Sequence, residues 1–159
     1  MPRVQQASQR DSRPHARVPI DTERLRQLRR AKGLTQHELS LKVGVQGAAA
    51  VSAWERGVSV PHPSKIPTLA KLLGVDPTEL LPEGTPLGFR ELRVIRGLSR
   101  SALASAASTS ITTIRRWEGG DFRFLPDEAL RRSVAKALGV SLAQLTRSLE
   151  VSRASQDQA

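Results

Sequence analysis

The sequence predicts an all-α protein built from two tandem five-helix domains, and three observations carry that prediction. Apolar residues recur three and four positions apart, as at Leu25 and Leu28, Leu39 and Val43, Ile66, Leu69 and Leu73, and Leu103, Ala104 and Ala107. Helix start and stop residues bracket these runs, with Asp21, Thr35 and Ser99 before them and Gly33, Gly44 and Gly74 after them. The whole pattern then repeats. Gly97-Leu98-Ser99 stands 64 residues after Gly33-Leu34-Thr35, and Lys136-Ala137-Leu138-Gly139-Val140-Ser141 matches Lys71-Leu72-Leu73-Gly74-Val75-Asp76.

Residues 1–19 hold Pro2, Pro14, Pro19 and four arginines without helical periodicity, so they are expected to be a disordered basic arm. The first domain is expected over residues 20–81. Asp21 caps helix one, Glu23 complements its N-terminal dipole, and Gly33 ends it in a left-handed conformation. Thr35 and Glu38 form a capping box for helix two, whose apolar face continues at Leu39 and Val43 until Gly44. Helix three is expected from about Gly47 to Glu55, with Val51 and Trp54 inward. A proline-bearing loop leads to helix four near residues 64–73, where Pro67 falls in the first turn and its missing amide matters least. Asp76-Pro77-Thr78-Glu79 opens a short fifth helix.

Pro82-Glu83-Gly84-Thr85-Pro86 reads as a linker by composition. The second domain is expected over residues 87–150, and residues 151–159, small and polar, as a disordered tail. Hydrophobic residues are 38% of the 159 and aromatics only 3%, so the core must be mostly Leu, Val, Ile and Ala, which suits helical bundles. The core positions expected in the two copies are Leu39, Val51 and Trp54, and Leu103, Ile114 and Trp117.

Composition also excludes. There is no Cys, hence no disulfide, thiolate metal site or Cys nucleophile, and the usage suits a reducing cytoplasm. No apolar run approaches the roughly 18 residues of a membrane span, and residues 1–19 carry no apolar signal-peptide segment. His15, His37 and His62 are scattered, with no metal-ligand spacing, and no P-loop glycine pattern occurs. The serine clusters lack a base beside them, so no metal, cofactor, small-molecule ligand or catalysis is expected. The net charge is +10, and residues 85–150 hold eleven basic against six acidic groups. Such an excess favours a polyanion, or serves solubility alone.

Residues 98–118 decide between these. Leu98 and Ser99 open one short helix, Ser108-Thr109-Ser110 break it, and a second helix follows from Ile111. Ile114 and Trp117 face inward there, while Thr112, Thr113, Arg115 and Arg116 face out. Helix, tight turn and polar, basic helix make the layout of a DNA-reading helix-turn-helix.

The chain resembles the lambda repressor and Cro class, the XRE-like helix-turn-helix proteins. In the first copy the resemblance rests on Lys32-Gly33-Leu34-Thr35-Gln36, Glu38-Leu39, Gly44-Val45, Trp54-Glu55-Arg56-Gly57 and Leu69-Ala70-Lys71-Leu72-Leu73-Gly74-Val75. In the second it rests on Gly97-Leu98-Ser99, Leu103-Ala104, Ile114, Trp117-Glu118-Gly119 and Val134-Ala135-Lys136-Ala137-Leu138-Gly139-Val140. It implies lambda-repressor-like domains whose third helix enters the major groove. It places Ser110, Ile111, Thr112 and Arg116 against bases, with Arg116 suited to guanine and Ile111 or Thr112 to a thymine methyl. Arg100 and Arg115 are expected on phosphates. In the first copy, Gln36 and Lys42 are the expected phosphate contacts. Gln46, Ala48 and Ala49 are its only base-facing candidates, and Ala discriminates weakly. Most base readout therefore falls to the second domain. The resemblance also pairs Arg29 with Glu55 and Arg93 with Glu118 as partly buried structural ties.

The implied function is a sequence-specific, double-stranded DNA-binding regulator of transcription, a repressor, located in the cytoplasm on the nucleoid. The arm then lies along DNA or stays solvated, and a homodimer is left open. The alternative is a protein-interaction module, an antitoxin or regulatory subunit using the same fold. An enzyme is the least supported class.

Overall fold

A computed structural model describes residues 17–158. Regular structure among the described residues is helical: α1 (Thr22–Ala31), α2 (Gln36–Val43), α3 (Gly47–Glu55), α4 (Ile66–Leu73), α5 (Phe89–Ile95), α6 (Arg100–Ala106), α7 (Ile111–Glu118), α8 (Glu128–Leu138) and α9 (Leu142–Asp157). Two 3-10 segments flank α4, at Pro63–Lys65 and Pro77–Leu80. No described helix is long and apolar enough to cross a membrane.

Local capping chemistry sets most helix ends. Asp21 Oδ1 accepts from Arg24 N at 2.9 Å. Glu38 N donates to Thr35 Oγ1 at 3.1 Å while Thr35 N donates to Glu38 Oε2 at 2.7 Å, which closes the capping box. That box holds the Glu38 carboxyl below its ordinary range, chiefly through the Thr35 amide. Gly74 and Gly139 end α4 and α8 with left-handed φ of 72° and 65°.

The two helix-turn-helix breaks differ in build. After α6, Ser108 takes φ 53°, a left-handed position rarely given to a residue other than glycine. After α2, Gly44 takes φ 73°, and Gly47 repeats φ 73° at the start of α3. The extra residue of the first copy is absorbed there, leaving α3 one residue longer than α7 and capped by Gln46 without a side-chain bond.

Three expectations change. The fifth element of the first half is a 3-10 turn at Pro77–Leu80, because Asp76 and Glu79 close their box over a single turn. The polar tail expected at residues 151–159 is helix through Asp157, since α9 buries Ser148, Leu149 and Ser152 against the rest of the second half. The arm expected at residues 1–19 lies outside the described residues up to position 16; within it, Val18 is already buried, so the folded part begins earlier.

One apolar core runs through both halves. Leu25, Leu39, Val51, Trp54 and Leu69 are buried in the first, and Leu92, Leu103, Ile114, Trp117, Leu145 and Leu149 in the second. Residues 82–86 make a folded corner between buried Leu81 and Phe89, with Thr85 Oγ1 donating to Pro82 O at 2.6 Å. Phe89 meets Trp117 edge to face, ring centroids 5.5 Å apart. Past α5, Gly97 (φ 81°) presses on the first half. A Cβ there would stand 2.7 Å from Pro67 Cγ.

Candidate nucleic-acid interface

The face of α7 is set by its start. Ser110 Oγ accepts from the Thr113 amide at 3.0 Å, which uses the hydroxyl as a cap. That phase buries Ile114, Trp117 and Glu118. It leaves Ile111 (41% exposed), Thr112, Arg115 and Arg116 toward solvent. Arg116 leans toward the following loop, with Nη2 donating to Asp121 O at 3.4 Å and Nε 3.9 Å from Asp121 Oδ2. Both side chains of that contact are largely exposed, so solvent screens it and it holds Arg116 only weakly.

The corresponding face of α3 is nearly featureless. Gln46, Gly47 and Ala49 are exposed and Ala48 is half-buried. The same half exposes two large apolar side chains, Leu41 in α2 and Val58 after α3, each 65% exposed, as the second half exposes Ile111 and Phe124. Lys42 is exposed in the last turn of α2.

Behind each face sits a buried carboxylate. Arg29 Nε donates to Glu55 Oε1 at 2.5 Å and Arg29 Nη2 to Glu55 Oε2 at 3.1 Å, while Arg29 Nη1 donates to Leu34 O at 2.7 Å. Gln36 Nε2 adds a bond to Glu55 Oε2 at 2.9 Å. Burial works to raise the Glu55 carboxyl, but Arg29, Gln36 and Arg26 outweigh it, and the net shift is downward. In the second half, Arg93 Nε donates to Glu118 Oε1 and Arg100 Nε to Glu118 Oε2, both at 2.6 Å. Arg93 Nη1 donates to Leu98 O at 2.7 Å. Burial lowers the Arg93 guanidinium from its ordinary value; Glu118 opposes this, and the Arg100 and Arg90 charges reinforce it.

Gln36 and Arg100, the expected phosphate contacts opening α2 and α6, are thus tied to the same glutamates as Arg29 and Arg93. Each tie links the first, second and third helices of its half. Sequence reasoning missed Arg26 and Arg90, whose Nε atoms both lie 3.7 Å from the respective glutamate. The signal was present: the 64-residue spacing relating Arg29 to Arg93 also relates Arg26 to Arg90 and Gln36 to Arg100. It also missed Phe124, 75% exposed on the loop after α7 with the Arg123 guanidinium 5.3 Å from its ring centre.

The Helix-turn-helix family model matches residues 25–80. That span runs from Leu25 on α1 through the turn ending at Leu80, so it covers α2, the break and α3. The first half is therefore similar to this family. No curated protein and no solved structure matches the chain.

Proposed function

We propose that the chain is a sequence-specific double-stranded DNA-binding regulator of the XRE type, and that it represses by occupying its site. The family match over residues 25–80 supports the class. One observation carries the assignment of base readout. α7 follows α6 after a tight turn, buries Ile114, Trp117 and Glu118, and holds Ile111, Thr112, Arg115 and Arg116 on its open face. A helix so presented fits the major groove. Arg116 reads guanine, and Thr112 and Ile111 supply methyl contacts. Ser110 contributes as the cap that sets the helix phase. Arg115 serves phosphate, joined by those donors of Arg100 and Gln36 that Glu118 and Glu55 leave available, and by Lys42.

Residues 20–81 and 87–150 are read as two copies of one unit, supported by the recurring Arg, Arg, Gln or Arg and Glu clusters. In the first copy Gln46, Ala48 and Ala49 give weak readout. The exposed Leu41, in α2, and Val58, after α3, favour a second reading for the first half, as a surface for a protein partner.

Selection of bound sites from random duplexes, repeated with Arg116→Ala, tests the main reading. Recovery of one motif by the wild type, relaxed at a single base pair by the variant, is expected. Unselected sequences, or an unchanged motif in the variant, would sink it. Ala49→Glu in the full chain tests the first half. Weakened DNA binding places it on DNA, and unchanged binding leaves it to a partner.

A further inference from the structure

The two halves meet through surfaces that do not correspond to each other. On the first half the contact is made by α4 and the 3-10 turn before it, and on the second by α5. A Cβ at Gly97, in the turn after α5, would stand 2.7 Å from Pro67 Cγ and 3.6 Å from Pro63 O. A Cβ at its counterpart 64 residues earlier, Gly33, would meet nothing within 4 Å. The helices before these two glycines differ in the same sense. Val94 and Ile95 are buried at the end of α5, whereas Arg30 and Ala31 hold those places in α1 and are exposed. By the match of Lys136 to Lys71, the place of Pro67 falls to Arg132, which is exposed and donates from Nη2 to Glu128 Oε1 at 2.6 Å.

A contact made by one patch on one member and a different patch on the other is heterologous, and no two-fold axis relates the two. This one is also fixed. The connection at residues 82–86 is folded by Thr85 Oγ1 on Pro82 O and flanked by buried Leu81 and Phe89. One apolar core passes through both halves. A heterologous contact can repeat into a filament when its faces stay complementary. Here both spare faces are polar, with Arg30 and Lys32 exposed on the first half and Arg132 and Glu128 on the second. A third unit would have to strip water from those charges, so docking stops at two.

Resting on the DNA-binding function proposed above, with its two copies of one unit, we infer that a single chain occupies an asymmetric duplex site whose two sub-sites stand in tandem order at one spacing. Copies of one fold docked alike on a duplex are related in one of two ways. A two-fold axis gives inverted sub-sites, and the screw of the duplex gives tandem ones. Gly97 against Pro67, with Gly33 unmatched, is incompatible with the two-fold. Val94, Ile95, Gly97 and Pro67 then set the spacing, and none of them lies on the faces of α3 and α7 proposed for DNA.

Duplex sites selected by the full chain, footprinted with hydroxyl radical and sized as complexes by sedimentation, test this. One chain per duplex and a non-palindromic site with two unequal blocks of protection are expected. Inserting about five base pairs, half a turn of the duplex, between the blocks should weaken wild-type binding at least about tenfold. Val94→Arg combined with Ile95→Ala, which gives α5 the outer residues of α1, should lose most of that discrimination while keeping the sequence preference of α7. Full discrimination in the folded double variant would overturn the part given to Val94 and Ile95. The insertion series on the wild type needs no variant and decides the spacing even where the variant unfolds. A palindromic site, two chains per duplex, a single block of protection or equal affinity for the expanded duplex would overturn the inference and leave a selected DNA motif standing. Sequences without any motif would sink the DNA reading itself, so the two fail separately.

Discussion

Ser152 Oγ accepts a hydrogen bond from the Phe89 amide at 2.9 Å, across 63 positions of chain. The first helix of the second half has no side-chain cap of its own, since Gly88 precedes it, whereas Asp21 caps α1 locally. The end of α9 supplies the missing acceptor. Ser152→Ala leaves a buried amide unpaired and is expected to destabilise the fold by about 1–3 kcal/mol, read from urea unfolding. Removing residues 151–159 should cost at least as much, because it also strips the stretch of helix that packs on Gly120.

Glu118 answers to three arginines and Glu55 to two arginines and a glutamine. Breaking a buried pair from one side costs about 3–5 kcal/mol. Glu118→Gln should lie at the upper end of that range and Glu55→Gln at the lower, since removal of Glu118 leaves more like charge together. Denaturant midpoints of the two variants compared under one buffer check the order.

Gly97 combines φ 81° with a Cβ position 2.7 Å from Pro67 Cγ. Gly97→Ala is expected to destabilise by about 1–3 kcal/mol, through backbone strain and overpacking of the contact between halves. The shared core further predicts one cooperative transition. Trp54→Phe and Trp117→Phe variants, each reporting on the half that keeps its tryptophan, should unfold at coincident midpoints of denaturant.

The folded-state Glu55 carboxyl lies below its unfolded value. Its ionisation therefore contributes stability that is complete above the unfolded pKa of about 4.3 and is lost as pH falls through the lower folded value. The thermal midpoint of the wild type should drop across that acid limb. Glu55→Gln should begin less stable at neutral pH and show a flatter limb.

Phosphate and base contacts separate by salt. Arg115→Ala should reduce the slope of log affinity against log salt by about one while keeping the preferred site, and Arg116→Ala should cost about 1–3 kcal/mol at one base pair. Filter binding over a salt series on two duplexes differing at that pair distinguishes them.

Much of this was legible along the chain because helix ends are local. Asp21, the Thr35 and Glu38 box, Ser110, Gly44 and Gly74 act within three or four residues, so their positions carry their meaning. Helical periodicity likewise marked the outward face of α7, and the family resemblance implied the pairs Arg29–Glu55 and Arg93–Glu118, while Arg26 and Arg90 went unread. Docking settled the rest. Whether α9 stops at residue 150 depends on Ser152 meeting Phe89, and whether residues 82–86 act as a loose tether depends on Gly97 meeting Pro67. The engagement of Gln36 and Arg100 by Glu55 and Glu118 depends on how the helices cross. Those contacts join residues distant in sequence, and their energies exist only once the helices are packed; no local pattern encodes them.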